Sequence, residues 1–193
     1  MTIDILVVAY CGWTALGETL ASIARFSEPG YRLTVFENGV RNYPLTWLWN
    51  RFAEASTRDV LALCNPDILV APGWDAEAVA CFELHPDCGV VCPLSNTQLH
   101  REQLASPVPD ALELEDVEAL AARLHRDAAQ PRFVLGADHR MTPAHCALIP
   151  RAAWSAVGGF DERVPFGGND YDFHRRIADA GMRLAVATRT FSF

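Results

Sequence analysis

The chain has 193 residues, half of them hydrophobic and 21% charged, which suits one soluble globular domain with a sizeable core. Its net charge of −8, from 24 acids against 16 bases, repels phosphate backbones and argues against nucleic acid as a partner. No apolar run approaches the ~20 residues that cross a bilayer, and "MTIDILVVAY" carries an acid inside its apolar run where a signal peptide has a basic segment ahead of one.

Residues 3–9, "IDILVVA", form a near-continuous apolar run, as in a strand buried on both faces. In "CGWTALGETLASIARF", Leu16, Leu20, Ile23 and Phe26 recur at helical spacing. Residues 31–36, "YRLTVF", read as a second strand that stops at the turn signal "ENG". Pro44 suits the first turn of a helix whose apolar face is Leu45, Leu48, Trp49 and Phe52. "DVLALC", 59–64, is a third buried strand ending at "NPD"; 72–85 reads as a helix and 88–93, "CGVVCP", as a strand.

The second half is less regular. Residues 94–111 are polar and proline-containing and read as a long loop. A helix is expected over 114–129, with Val117, Leu120, Ala121 and Leu124 inward. "AHCALIP", 144–150, reads as a strand, "RAAWSAVGG" as a short helix, and "MRLAVAT", 182–188, as a final strand. Strands alternating with helices predict an α/β fold with a mostly parallel sheet flanked by helices.

Ligands of such sheets bind beyond the carboxyl ends of the strands. Tyr10, Glu37–Asn38 and Asn65–Asp67 all fall there. In "NPD", Asp67 either bonds backbone N–H groups of a turn or offers oxygen to a hard cation such as Mg²⁺ or Mn²⁺, shared with a diphosphate. In "FGGNDYDFHRR", residues 166–176, Asn169 reads as an N-cap with Asp172 three residues on, and Phe173, Ile177 and Ala180 facing the core before Gly181 ends the helix. That leaves Asp170, a carboxylate behind a Gly-Gly hinge, in a place suited to a general base.

The six cysteines, 11, 64, 81, 88, 92 and 146, show no C-x-x-C pair, and several sit in apolar runs as small hydrophobes. A reduced, cytoplasmic protein without zinc is the simplest reading. Trp47, Trp49, Trp74 and Trp154 read as packing residues, and Arg175 and Arg176 as a solvated helix face or partners of nearby acids.

The segment "GGFDERVPFGGNDYDFHRRIADAGMRL" resembles the C-terminal signature of family 2 glycosyltransferases of the GT-A fold. "NPDILVAPGW" resembles their Asp-x-Asp element in the Asn-Pro-Asp form of rhamnosyltransferase-like members, and "ILVVAY" and "LTVFENG" resemble their first two strands. The resemblance runs over nearly the whole chain, in order. It implies a single Rossmann-like domain with a nucleotide-binding half, 1–93, and an acceptor-side half, 94–193. Ala9 and Tyr10 would line base and ribose. Glu37 stands for the Asp that contacts the base, with Asn38 beside it, and Asn50 falls where the family often has Asn before the third strand. Asn65 and Asp67 would meet the donor, Asp67 through a divalent cation, Mn²⁺ or Mg²⁺.

Asp170 matches the base that deprotonates the acceptor hydroxyl, with Gly168 and Asn169 next to it. His145 occupies a place that faces acceptor in the family, although a buried or loop role is the simpler reading. The resemblance thus implies inverting transfer of one sugar from a UDP- or dTDP-sugar to a hydroxyl acceptor. The Gln-x-x-Arg-Trp element of processive synthases is absent from the sequence. A non-catalytic nucleotide- or sugar-binding module is the alternative, favoured by Asn65 and Asn169 standing where the family has acids. A nucleotidyltransferase would need a basic glycine-rich loop after the first strand, and "AYCGWTALGE" has no lysine or arginine.

Overall fold

A computed structural model of the chain describes residues 1–10, 12–95, 114–126, 131–138 and 145–193, the side chains of 114 and 115 excepted. The elements in chain order are β1 (Ile3–Ala9), α1 (Trp13–Phe26), β2 (Arg32–Glu37), α2 (Leu45–Ala55), β3 (Val60–Cys64), α3 (Trp74–Leu84) and β4 (Cys88–Ser95). They continue with α4 (Leu114–Arg126), β5 (Phe133–Gly136), β6 (Cys146–Pro150), α5 (Arg151–Val157), α6 (Asn169–Asp179) and β7 (Arg183–Ser192).

The strands form one mixed sheet in the order β2-β1-β3-β6-β4-β7-β5. β1 runs parallel to β2 and β3, and β4 parallel to β7, while β6 is antiparallel to both β3 and β4 and β5 antiparallel to β7. Five strands therefore point one way, and the carboxyl ends of β1, β2, β3, β4 and β7 share an edge with the start of β6. The architecture is the α/β single domain expected, with helices on the sheet.

Alternation along the strands divides the core. Ile5 and Val7 of β1 pack with Leu16 and Ile23 of α1 and Trp74 and Ala78 of α3. Leu6 and Val8 point the other way, onto Leu48, Trp49 and Phe52 of α2, Trp154 of α5 and Phe173 and Ile177 of α6. A third cluster sets Val117, Leu120, Ala121 and Leu124 of α4 against Val186 and Phe191 of β7. The acid in the first apolar run, Asp4, is fully buried and takes Arg32 Nε of β2 at 2.8 Å. Burial without that partner would be costly.

Some boundaries differ from the sequence reading. β5 falls where no strand was expected, and β7 continues to Ser192, four residues past the expected end. Ala180 is exposed beyond the end of α6, so it does not face the core. The loop expected over 94–111 begins inside β4, and its residues from 96 onward lie outside the described residues, as do 127–129 of the expected fourth helix and residue 144 of the expected strand. Gly181, with φ +81°, ends α6 as expected. Among the described residues no helix is long and apolar enough to cross a membrane.

Candidate active site

A cleft of about 490 Å³ opens at the carboxyl edge of the sheet. Tyr10 and Gly12 after β1, Leu45 and Trp49 of α2, and Asn65 and Asp67 after β3 contribute to its walls. Gly12 makes the entry to α1 in the left-handed region, φ +86°, which a side chain would strain. Tyr10 is half-buried; burial pushes its phenol up, and the Asn38 amide pulls the other way.

The loop that carries Asp67 is held from both sides. Before it, Asn65 N–H donates to the His145 carbonyl at 2.8 Å. After it, Leu69 and Phe193 exchange backbone hydrogen bonds of 2.8 Å, and Ala71 N–H donates to the Phe191 carbonyl at 3.1 Å. From below, Thr19 Oγ1 accepts from Ile68 N–H and Ser22 Oγ from Val70 N–H, each at 3.1 Å. Asn65 and Asp67 themselves are exposed. Among the described residues the Asp67 carboxylate has no hydrogen-bond or ion-pair partner. The chain therefore presents one uncommitted acid on rigid backbone, the arrangement that favours ligand capture over a local turn bond.

Ala9 and Glu37 end adjacent strands in register. Glu37 is exposed, and its Oε1 accepts from Gly39 N–H at 2.7 Å. Asn38 is buried with its amide used on both sides: Nδ2 donates to the Tyr43 carbonyl at 2.9 Å and Oδ1 accepts from Tyr43 N–H at 2.8 Å. This amide fastens the 38–43 turn, in which Asn42 adopts φ +50°. Asn50 is committed in the same way. It holds Phe160 N–H and C=O and donates to Glu162 Oε1 at 3.0 Å, tying α2 to the "GGFDE" loop.

At the other side of the edge, α6 begins after two glycines of positive φ, Gly167 at +63° and Gly168 at +76°. Gly168 is the N-cap and Asn169 the first helical residue, so the expected Asn169 cap is replaced: Gly168 C=O accepts from Asp172 N–H at 2.9 Å. Asn169 is buried, and its Oδ1 accepts from Asp170 N–H at 2.9 Å. Asp170 is half-buried, with Oδ1 accepting from Tyr171 N–H at 2.9 Å. Burial pushes the thiol of Cys92 in β4 well up, and the charge of Asp170 adds to it. Asp172 pairs with Arg176 at 2.9 Å and Arg175 at 3.2 Å, and Arg176 also donates to the Val157 and Gly159 carbonyls.

His145 stands at the head of β6, its Nε2 2.6 Å from Ser192 Oγ. The cleft thus brings Tyr10, Asn65 and Asp67 together, with Ala9, Glu37 and His145 at the same sheet edge. Asn38, Asn50, Asn169 and Asp170 are not among the described residues that line it. Sequence reasoning passed over Gly12 and Leu45 as wall residues, and Ser192 as partner of His145. Gly12 carried a signal, a glycine between strand and helix; Ser192 carried none.

Among the described residues no group of three or more His, Cys, Asp or Glu side chains could cage a metal ion. Asp67 with the Asn65 amide is still a fitting donor set for Mg²⁺ or Mn²⁺, hard cations that bind through one or two carboxylates and complete their shell with phosphate oxygens and water.

No protein-family model matches the sequence, and no curated protein matches it. The fold does have solved counterparts. GalNAc-T7 with UDP, GalNAc and Mn²⁺ superposes with a TM-score of 0.72 at 15% identity, over 99% of this chain and 43% of that one. S. aureus TarS 1–349 gives 0.62 at 12% identity, over 97% and 58%. A Drosophila β1,4-galactosyltransferase 7 variant with manganese, UDP-Gal and xylobiose gives 0.54 at 16%, over 96% and 64%. The fold is that of GT-A glycosyltransferases, and the chain spans from 43% to 64% of the lengths of these structures.

Proposed function

We propose that the chain is an inverting, family 2-type glycosyltransferase of the rhamnosyltransferase-like kind, moving one sugar from a UDP- or dTDP-sugar to an acceptor hydroxyl. The observation that carries this reading is the carboxylate of Asp67, without a partner among the described residues and held on an anchored loop in a cleft at the carboxyl edge of a GT-A sheet. The nucleotide and manganese complexes of the structural neighbours support it.

In this reading residues 1–93 hold the donor and 94–193 face the acceptor. Ala9, Tyr10 and Glu37 border base and ribose, and Asn38 and Asn50 act by fixing the loops around them. Asp67 and Asn65 hold a divalent cation together with the diphosphate. A divalent cation held there, Mn²⁺ or Mg²⁺, would supply positive charge for the diphosphate leaving group. The acceptor oxygen forms a bond to the anomeric carbon as the bond from that carbon to the diphosphate oxygen breaks on the opposite face. The hydroxyl proton passes to the carboxylate of Asp170, which the Tyr171 N–H orients through Oδ1. His145, Gly168 and Asn169 belong to the acceptor side.

The test is donor turnover, including slow transfer to water, over a panel of UDP- and dTDP-sugars with Mn²⁺ or Mg²⁺. Turnover that Asp67→Asn abolishes supports the reading. Absence of turnover together with cation-dependent nucleotide binding supports the second reading, a non-catalytic nucleotide-binding module, which is favoured by Asp67 being the one carboxylate among the described residues that line the cleft. Absence of both rejects nucleotide-sugar chemistry altogether.

A further inference from the structure

Away from the cleft, a cavity of about 320 Å³ lies where α4 meets β7 and the residues preceding α3, and Pro72, Glu118, His125, Arg126 and Arg189 contribute to its walls. Its cationic wall originates in a break of the sheet. Pro93 of β4 faces Ala187 of β7, but Leu94 faces Phe191, so residues 188–190 bulge out of the ladder. Arg189 is the middle residue of that bulge and reaches the cavity with its Nε buried and unbonded.

Buried donors in folded proteins almost always have partners. Among the described residues Arg189 Nε has none. Glu118, the acid in this wall, is already paired with Arg25 at 3.0 Å. Neither Arg126 nor Arg189 has an acceptor among the described residues. Basic residues in the last turn of α4 are accounted for by the helix dipole, but Arg189 belongs to a strand and has no such reason to be there. In a chain of net charge −8, two uncommitted guanidinium groups and an imidazole around one hollow form a local reversal of sign.

We propose that this cavity binds a small phosphate-bearing anion, held by Arg189 and Arg126 with His125 as a neighbouring donor. Guanidinium forks match phosphate oxygens in pairs. Donors arriving from a strand on one side and a helix on the other suit a tetrahedral anion, which offers acceptors in several directions, better than a planar carboxylate. The site does not depend on the reading of the cleft.

The experiment is calorimetric titration of the full chain with inorganic phosphate in buffer containing EDTA, so that no cation at Asp67 contributes. Saturable binding is expected. It should weaken about tenfold in Arg189→Gln and in Arg126→Gln, the loss of a charge-assisted hydrogen bond, and stay unchanged in Asp67→Asn. Arg126 is exposed, so that variant keeps the test available if Arg189→Gln does not fold. Absence of saturable binding, equal affinity in either folded arginine variant, or equal affinity for acetate would overturn the proposal. Nucleotide binding with Mn²⁺ is measured separately, so failure at this site leaves the cleft reading standing, and the reverse.

Discussion

Asn50 holds the backbone of Phe160 with both ends of its amide, Nδ2 donating to the carbonyl at 3.0 Å and Oδ1 accepting from the N–H at 2.9 Å. The two residues are 110 positions apart, and the bonds fasten α2 to the loop that leads to α6. Phe160 then stacks on Phe173 of α6 at 4.3 Å, so the clamp also sets where the helix carrying Asp170 begins. Gly159 is required beside it: its φ is +77°, and an added Cβ would lie 2.7 Å from Asn50 Oδ1.

Removing the clamp should therefore cost stability. Asn50→Ala leaves the Phe160 backbone groups without their partner and should destabilise the fold by about 2–4 kcal/mol. Gly159→Ala adds backbone strain and a close contact, for about 1–3 kcal/mol. Urea denaturation of both variants measures this; unchanged midpoints would mean the loop has another anchor.

Asp67→Asn should leave thermal stability intact, since the carboxylate has no partner among the described residues. Nucleoside diphosphate affinity in the presence of Mn²⁺ should fall about tenfold or more. Calorimetry with and without the cation distinguishes loss of the shared cation from loss of direct nucleotide contacts.

Asp170→Asn should retain nucleotide binding and lose donor turnover by about 100-fold or more, the scale of a general base. Equal turnover in both proteins would remove Asp170 from the chemistry.

The Asp161 carboxyl is held at about 2, chiefly by the Arg163 side chain. Because the folded value lies below the unfolded one, its contribution to stability is present above the ordinary carboxylate range and lost as pH falls through about 2. An NMR titration should show this low midpoint, and Arg163→Gln should raise it toward the usual range.

Buried apolar runs made β1, β3 and β4 readable from the sequence, and helical spacing made α1, α2 and α4 readable. β5 escaped because "FVLG" is short, partly exposed on an edge strand and preceded by polar residues and a proline. The end of β7 escaped because the 188–190 bulge interrupts the apolar pattern with Thr188, Arg189 and Thr190. At the candidate site, the grouping of Tyr10, Asn65 and Asp67 followed from parallel strand order. What Asn38 and Asn50 do did not, because an amide looks the same in sequence whether a ligand or a distant backbone uses it. Gly168 displaced Asn169 as cap for a related reason: a left-handed entry to the helix needs a glycine, and two were available.

β6 lies between β3 and β4 although it follows both in the chain. During synthesis the ribosome must therefore release residues 146–150 before the middle of the sheet can close. Until then the nascent chain presents two unpaired central edges, so a shortened transcript ending before that point should yield material that chaperones retain or that aggregates.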